Sequence, residues 1–470
     1  MKEYFYFTGM IQKILLLLFI SVSSICFAQL GNSNMRLLSN LNQHVISGRE
    51  YSALWGYLAP NGREYAIMGC YDGTTFVDIT DTTNIHEVDY LPGPVFGNNS
   101  HTWREMKTFS HYCYIVNDVI NGAMQIVDLQ YLPDSVHLVR NFTFGSFNRG
   151  HTISQEGPYL YISGGNASTN GGIRILDLTS NPELPTVRGQ WTTRYVHDCR
   201  VKNDTIFACN IWTGEVTVIN AANKDNPVQI NFWFNNPNGG PHNCALTPNR
   251  QFCLVADEIN GNPRLLKIWN IQNLNNVIQV STWQPTGITN TIVHNVEVYG
   301  NYALVAHYEA GLRILNITNP AAPVEIAWYD TFPSGNGFDY RGCWGVYMFP
   351  SQKIIASDMQ TGLYVFKTST IITSNQNNQN SSPAKFELKQ NYPNPFNPTT
   401  RIEFSIPKAS HVSLKVFDAL GKHVATLADE FRNVGNYSVS YDAARLASGV
   451  YFYNLVAGDY KESRKMVLIK

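Results

Sequence analysis

Five histidines recur along the chain at long, nearly even intervals: His101, His151, His197, His242 and His294 lie 50, 46, 45 and 52 residues apart. Each opens a short alternating segment, as in HTISQE from His151 and HNVEVY from His294. Imidazoles far apart in sequence but equivalent in a repeat converge only if the repeats close into a ring. With carboxylates beside them they have the donor set of a divalent transition-metal site, nitrogen as ligand and carboxylate as charge balance. Such a set selects zinc, copper, nickel or iron over calcium. The acids are available, because a second apolar run in several units ends at or beside Asp72, Asp118, Asn210, Asp257, Glu258, His307, Glu309 or Asp358. We take Asp72, Asp118, Asp257 and Asp358 as candidate ligand-binding residues and the five histidines as candidate metal ligands. Trp212, Trp233 and Tyr308 fall near the same ends and could stack on sugar rings.

Packing is the competing explanation. Trp55 and Trp344 open two further units at the place His takes elsewhere, and a position that accepts either ring favours a flat side chain. A buried His there can simply bond to a neighbouring Asp or carbonyl. The sequence contains no GxSxG elbow, HExxH helix, Walker loop or EF-hand loop, so no catalytic residue is nominated and the reading leans away from an enzyme.

The elements that must position these residues are strands. Seven units open at Trp55, His101, His151, His197, His242, His294 and Trp344, spaced by 46, 50, 46, 45, 52 and 50 residues. That period fits the roughly 40–50 residues of a four-stranded propeller blade. Each unit reads as an alternating strand, a turn, an apolar strand, a Gly-containing turn and a third strand of set form. The third strands are FVDI (76–79), IVDL (126–129), ILDL (175–178), VINA (218–221), IWNI (268–271) and ILNI (314–317). β-branched runs followed by Asn/Pro turns, without 3.6-residue periodicity, exclude a helical solenoid. A seven-bladed β-propeller follows, within an all-β chain. The last unit ends soon after Phe366, before a fourth strand, while Met35 to Leu41 stands unclaimed ahead of the first. That N-terminal strand is expected to complete the last blade and remove a sheet edge.

Composition agrees and narrows the function. Of 470 residues, 44% are hydrophobic, 13% aromatic and only 15% charged, which suits a folded, turn-rich β chain. Thirty-four basic residues against 35 acidic ones, with no long basic run, argue against nucleic-acid binding. Residues 1–28 have the grammar of a secretory signal peptide: Lys2 and Lys13, an apolar core too short to span a bilayer, and small Cys26 and Ala28 at the end. No transmembrane segment is expected in the mature chain. Of the seven cysteines left in an oxidising destination, Cys199 with Cys209 and Cys244 with Cys253 flank turns and could pair across hairpins. Burial as small apolar side chains is the equal alternative.

The polar stretch SNQNNQNSSP (374–383) marks a connector, so the organisation is 29–369 for the propeller, 370–384 for the linker and 385–470 for a second module. The second module holds about seven alternating runs bounded by Gly, Pro or Asn, among them RIEFSI from Arg401 and VSLKVF from Val412. It reads as a small Ig-like β-sandwich.

The repeats resemble the LVIVD-repeat propellers of the choice-of-anchor B family, with Asn220, Asn270 and Asn316 standing where the family motif has Asp. The last module resembles the type A C-terminal sorting domain of the type IX secretion system. NYPNPFNP (391–398) matches its opening motif, ASGVY (447–451) its late motif and KMVLIK (465–470) its final strand. The resemblance implies export through the type IX machinery by way of residues 385–470, then release or attachment at the outer cell surface. It carries no activity with it. The expected function is a secreted or cell-surface binding and interaction module for a surface polysaccharide or protein. The alternative is a secreted metal-dependent hydrolase, lyase or oxidoreductase at the channel mouth.

Overall fold

The computed structural model describes residues 32–44, 50–94, 103–119, 121–143, 149–165, 171–237, 239–288, 290, 292–335, 338–369, 385–408, 410–432, 435–444 and 446–469. The signal segment 1–28, the linker 370–384 and His101 lie outside them. The described chain is all-β.

The described residues between 32 and 369 form seven antiparallel sheets, five of them built from four consecutive strands and two joined by a strand from the N-terminus. The fourth sheet shows why the sequence folds this way. Asn203 and Asp204 adopt φ of 49° and 58°, the left-handed pair of a type I′ turn, and join Asp198–Lys202 to Thr205–Asn210 as a tight hairpin. Glu215–Asn220 and Val228–Phe234 complete that sheet. Its second and third strands are buried on both faces almost throughout, whereas the outermost strand alternates with solvent.

The Asp or Asn of the third-strand motif has one local task in all six units. The side-chain oxygen of Asp78, Asp128, Asp177, Asn220, Asn270 or Asn316 accepts the backbone N–H two residues on, at 2.8 to 3.0 Å. Both side chains supply the same carbonyl-type oxygen for this Asx turn, which explains why they interchange.

First strands of successive sheets lie against one another around a ring, and Cys343–Met348 of the last meets Leu54–Leu58 of the first. The N-terminal strand Met35–Leu41 is the fourth strand of the last sheet, antiparallel to Gly362–Thr368 with Met35 opposite Thr368 and Leu41 opposite Leu363. Asn32–Ser33 adds a fifth strand to the sheet before it, along Val324–Tyr329. Apolar cores lie between neighbouring sheets, as where Phe207, Cys209 and Trp233 meet Cys244, Val255 and Trp269.

The seven described cysteines are free and buried. The hairpin pairing considered for Cys199 and Cys209 is corrected by register: Cys199 faces Ala208 and Cys209 faces Asp198, so the two thiols project from opposite faces into different cores. Cys244 pairs in register with Val255 and Cys253 with Leu246, and both pack as small apolar side chains in one core.

The C-terminal residues form a three-stranded and a four-stranded sheet around their own core, which includes Phe396, Ile402, Leu414, Tyr453 and Leu468. The Asn/Pro opening segment is tied to the last strand: Phe396 N–H donates to the Val467 carbonyl, and Ile469 N–H to the Phe396 carbonyl. Asn391 Nδ2 donates to Thr400 Oγ1 and its backbone N–H to Tyr453 Oη.

Candidate functional site

Closure of the ring places the repeat-opening residues side by side at one mouth of the central channel. Ring centroids run His151–His197 4.2 Å, His197–His242 4.3 Å, His242–His294 4.2 Å and His294–Trp344 4.3 Å. Trp103 continues the series, stacked 4.6 Å from Trp344. Trp55 does not take part, contrary to the sequence alignment of the units. The Ser52 N–H bonds the Gly69 carbonyl just as the His197 N–H bonds that of Cys209, so Ser52 occupies the equivalent place in the first sheet. Trp55 turns instead toward Tyr347 and Thr108, with Lys107 Nζ 4.0 Å from its ring centre.

The imidazoles are not equivalent. His242 Nδ1 bonds the His294 carbonyl at 3.1 Å, and His294 Nδ1 bonds the Trp344 carbonyl at 2.6 Å. A carbonyl only accepts, so both rings carry a proton on Nδ1, and burial, which disfavours the charged form of His294, leaves the Nε2 of that ring as a lone pair. Those Nε2 atoms lie 3.7 and 3.9 Å from the two oxygens of Glu258, which follows the second strand of the fifth sheet. Tyr308 Oη donates to Glu258 Oε1 at 2.6 Å and holds that carboxylate in place. Burial, with the neighbouring His151, His242 and His294, holds His197 well below the ordinary imidazole range. Burial and His242 do the same for His294. His151 differs. Burial opposes its charge, but the hydrogen bond to Asp118 at 2.6 Å and that carboxylate's charge outweigh it and raise the pKa.

Asp118 is the partner of His151, at the mouth. Asp72 accepts a hydrogen bond from Tyr90 Oη in the first sheet. Asp257 is buried against Lys267 Nζ at 2.7 Å and also accepts from Asn235 and the Gly240 N–H. Burial, partly offset by Lys267, lifts its pKa to about 6. Asp358 caps the turn after its strand through the N–H groups of Gln360 and Thr361. Asn210 donates to Thr217, Glu309 pairs with Arg341, and His307 lies outside the imidazole run, 5.9 Å from the Trp283 ring. Trp233 belongs to the core between the fourth and fifth sheets, so it cannot stack on a ligand. Trp212 is 68% exposed and reaches the mouth through Tyr195, whose ring lies 6.4 Å from both Trp212 and His197.

Below the mouth the channel is charged. Glu105 pairs with Lys107 at 2.8 Å, Arg200 with Glu297 at 2.7 Å, and Asn243 donates to Asp198. These residues with Trp55 line a small internal cavity of about 30 Å³. Sequence reading missed this layer, although alternation gave a signal: Asp198 and Arg200, like Asn295 and Glu297, sit on the strands that begin with the mouth histidines.

Repeated four-stranded sheets in a ring, with one polar mouth, define a β-propeller. Its route of export is written in the sandwich that follows: residues 390–470 match the secretion system C-terminal sorting domain, and residues 292–331, the sixth sheet, match the LVIVD repeat. The protein is therefore a secreted, cell-surface protein sorted by the type IX system. No helix among the described residues is long and apolar enough to cross a membrane. No curated protein matches the chain in sequence. Among solved structures it is similar to PorZ, a surface component of the type IX secretion system of Porphyromonas gingivalis, at 12% identity and a TM-score of 0.45. That match covers 87% of this chain, which spans 58% of the length of PorZ. It is also similar to a Lactobacillus plantarum protein (12% identity, TM-score 0.47, covering 84% of this chain and 99% of that one). A third is the periplasmic gluconolactonase of Pseudomonas aeruginosa (12% identity, TM-score 0.46, covering 83% and 99%).

Proposed function

We propose that this protein is a surface-displayed binding module whose ligand site is the histidine-lined mouth of the propeller channel, with a cell-surface polysaccharide as the ligand. The convergence of His151, His197, His242 and His294 with Glu258 on one mouth carries the reading. Tyr195 and the exposed Trp212 extend it, because they lead from solvent to the imidazoles as a sugar-stacking path would.

Affinity electrophoresis of the full chain in gels containing purified surface polysaccharide of the host tests it. Retardation of the wild type is expected, weakened several-fold in Trp212→Ala, since losing one aromatic stacking contact is worth about 0.5–1.5 kcal/mol. Migration unaffected by the polysaccharide, or retardation identical in Trp212→Ala and His242→Ala, overturns the reading. Shortening of the polysaccharide during incubation would replace it with the enzyme alternative.

A further inference from the structure

We propose that the mouth holds one divalent transition-metal ion between His197, His242 and Glu258, with His294 beside it. The inference rests on placing the site at the mouth and adds what occupies it. Ligating atoms of His197, His242 and Glu258 lie within 4.8 Å of one another, a spacing that one ion can bridge.

The second observation is the protonation pattern. His242 and His294 each donate Nδ1–H to a backbone carbonyl, so their Nε2 atoms face the Glu258 carboxylate. His294 is fully buried, and its Nε2 has no hydrogen-bond partner among the described residues. The unpartnered His294 Nε2, 3.9 Å from a carboxylate oxygen, needs a proton or a cation between them, and burial disfavours the proton. The same Nδ1–carbonyl bonds, with Tyr308 fixing Glu258, are the outer contacts that orient metal-ligating imidazoles and carboxylates. Two imidazoles and one carboxylate suit zinc, iron, cobalt, nickel or copper, whereas calcium and magnesium prefer all-oxygen sites. His151 stands outside this set because the mutually close ligating atoms are those of His197, His242 and Glu258.

The test uses Co(II) alone, added to the full-length protein after chelation and dialysis, and read by elemental analysis and visible absorption. One equivalent with nitrogen–oxygen ligand-field bands is expected. Glu258→Gln, which keeps the shape of the side chain, should lose stoichiometric cobalt while its melting temperature stays near that of the wild type. Tyr308→Phe, which keeps the ring, should weaken affinity about 10–100-fold. The control His137→Ala, on an outer strand, should bind as the wild type does. No cobalt in the wild type overturns the metal site, as does unaltered cobalt affinity in Glu258→Gln. Polysaccharide retardation that persists in a protein binding no cobalt removes this inference alone. Stoichiometric cobalt without retardation by polysaccharide removes the binding reading and leaves the metal site.

Discussion

At the scale of single residues, the propeller buries hydroxyls and charges where their chemistry is altered. Tyr51 and Tyr57 are 2% and 5% exposed, and burial pushes both phenols up to about 12. A folded-state pKa raised above the unfolded value of roughly 10 means that the native state retains the proton more tightly. The resulting stability is complete below about pH 10 and is lost as pH rises toward 12. Buried thiols such as Cys70 and Cys113, also raised by burial, start the loss at about pH 9, so thermal melts should fall from there and increasingly between pH 10 and 12, and Tyr57→Phe should flatten the upper part of that fall. A melting temperature unchanged up to pH 12 would contradict the burial argument. The mouth illustrates the same rule with opposite sign, since desolvation disfavours the charged imidazole and keeps His197 and His294 neutral.

At the scale of elements, the strand Met35–Leu41 matters because of where it pairs, not what it contains. It covers the outer edge of Gly362–Thr368, and Met35 enters the core shared with Phe366, Cys343 and Leu304. Each large apolar side chain that it buries contributes about 1.5–3 kcal/mol, and its removal also exposes a sheet edge. Deleting residues 32–41 from the mature protein should lower the unfolding midpoint markedly and promote aggregation. A midpoint equal to that of the full chain would show that the ring does not depend on this closure.

At the scale of the whole molecule, the sorting module has its own hydrophobic core and its opening segment is fastened to its last strand, so the matched region is a structural unit. Removing residues 385–470 should leave a folded propeller in the periplasm rather than at the cell surface. Fractionation with circular dichroism of the recovered protein checks both halves of that expectation. Surface delivery of the truncated chain would separate export from the module. The propeller supplies the complementary property, because seven sheets each donate their first strand to one axis, and only there do residues some 50 positions apart in sequence become neighbours.

What the chain determined by itself was whatever is periodic or local. The third-strand motif, its Asp/Asn turn, the His at strand openings and the Asn/Pro segment of the last module are all legible because neighbouring backbone groups set them. What only the tertiary structure decided was which atoms meet. Alignment of WGYL with WGVY put Trp55 at the mouth, but strand register gave that place to Ser52 and left Trp103 to stack on Trp344. Spacing made five histidines equivalent, yet Asp118 accepts a hydrogen bond from His151, while backbone carbonyls turn His242 and His294 toward Glu258. Cys199 and Cys209 flank one turn in sequence and face opposite sides of one sheet, because a one-residue offset in a strand reverses the side chain's direction. Repeats specify elements through local geometry, whereas the partner of a buried charge, lone pair or thiol depends on the neighbouring sheet, which no repeat encodes.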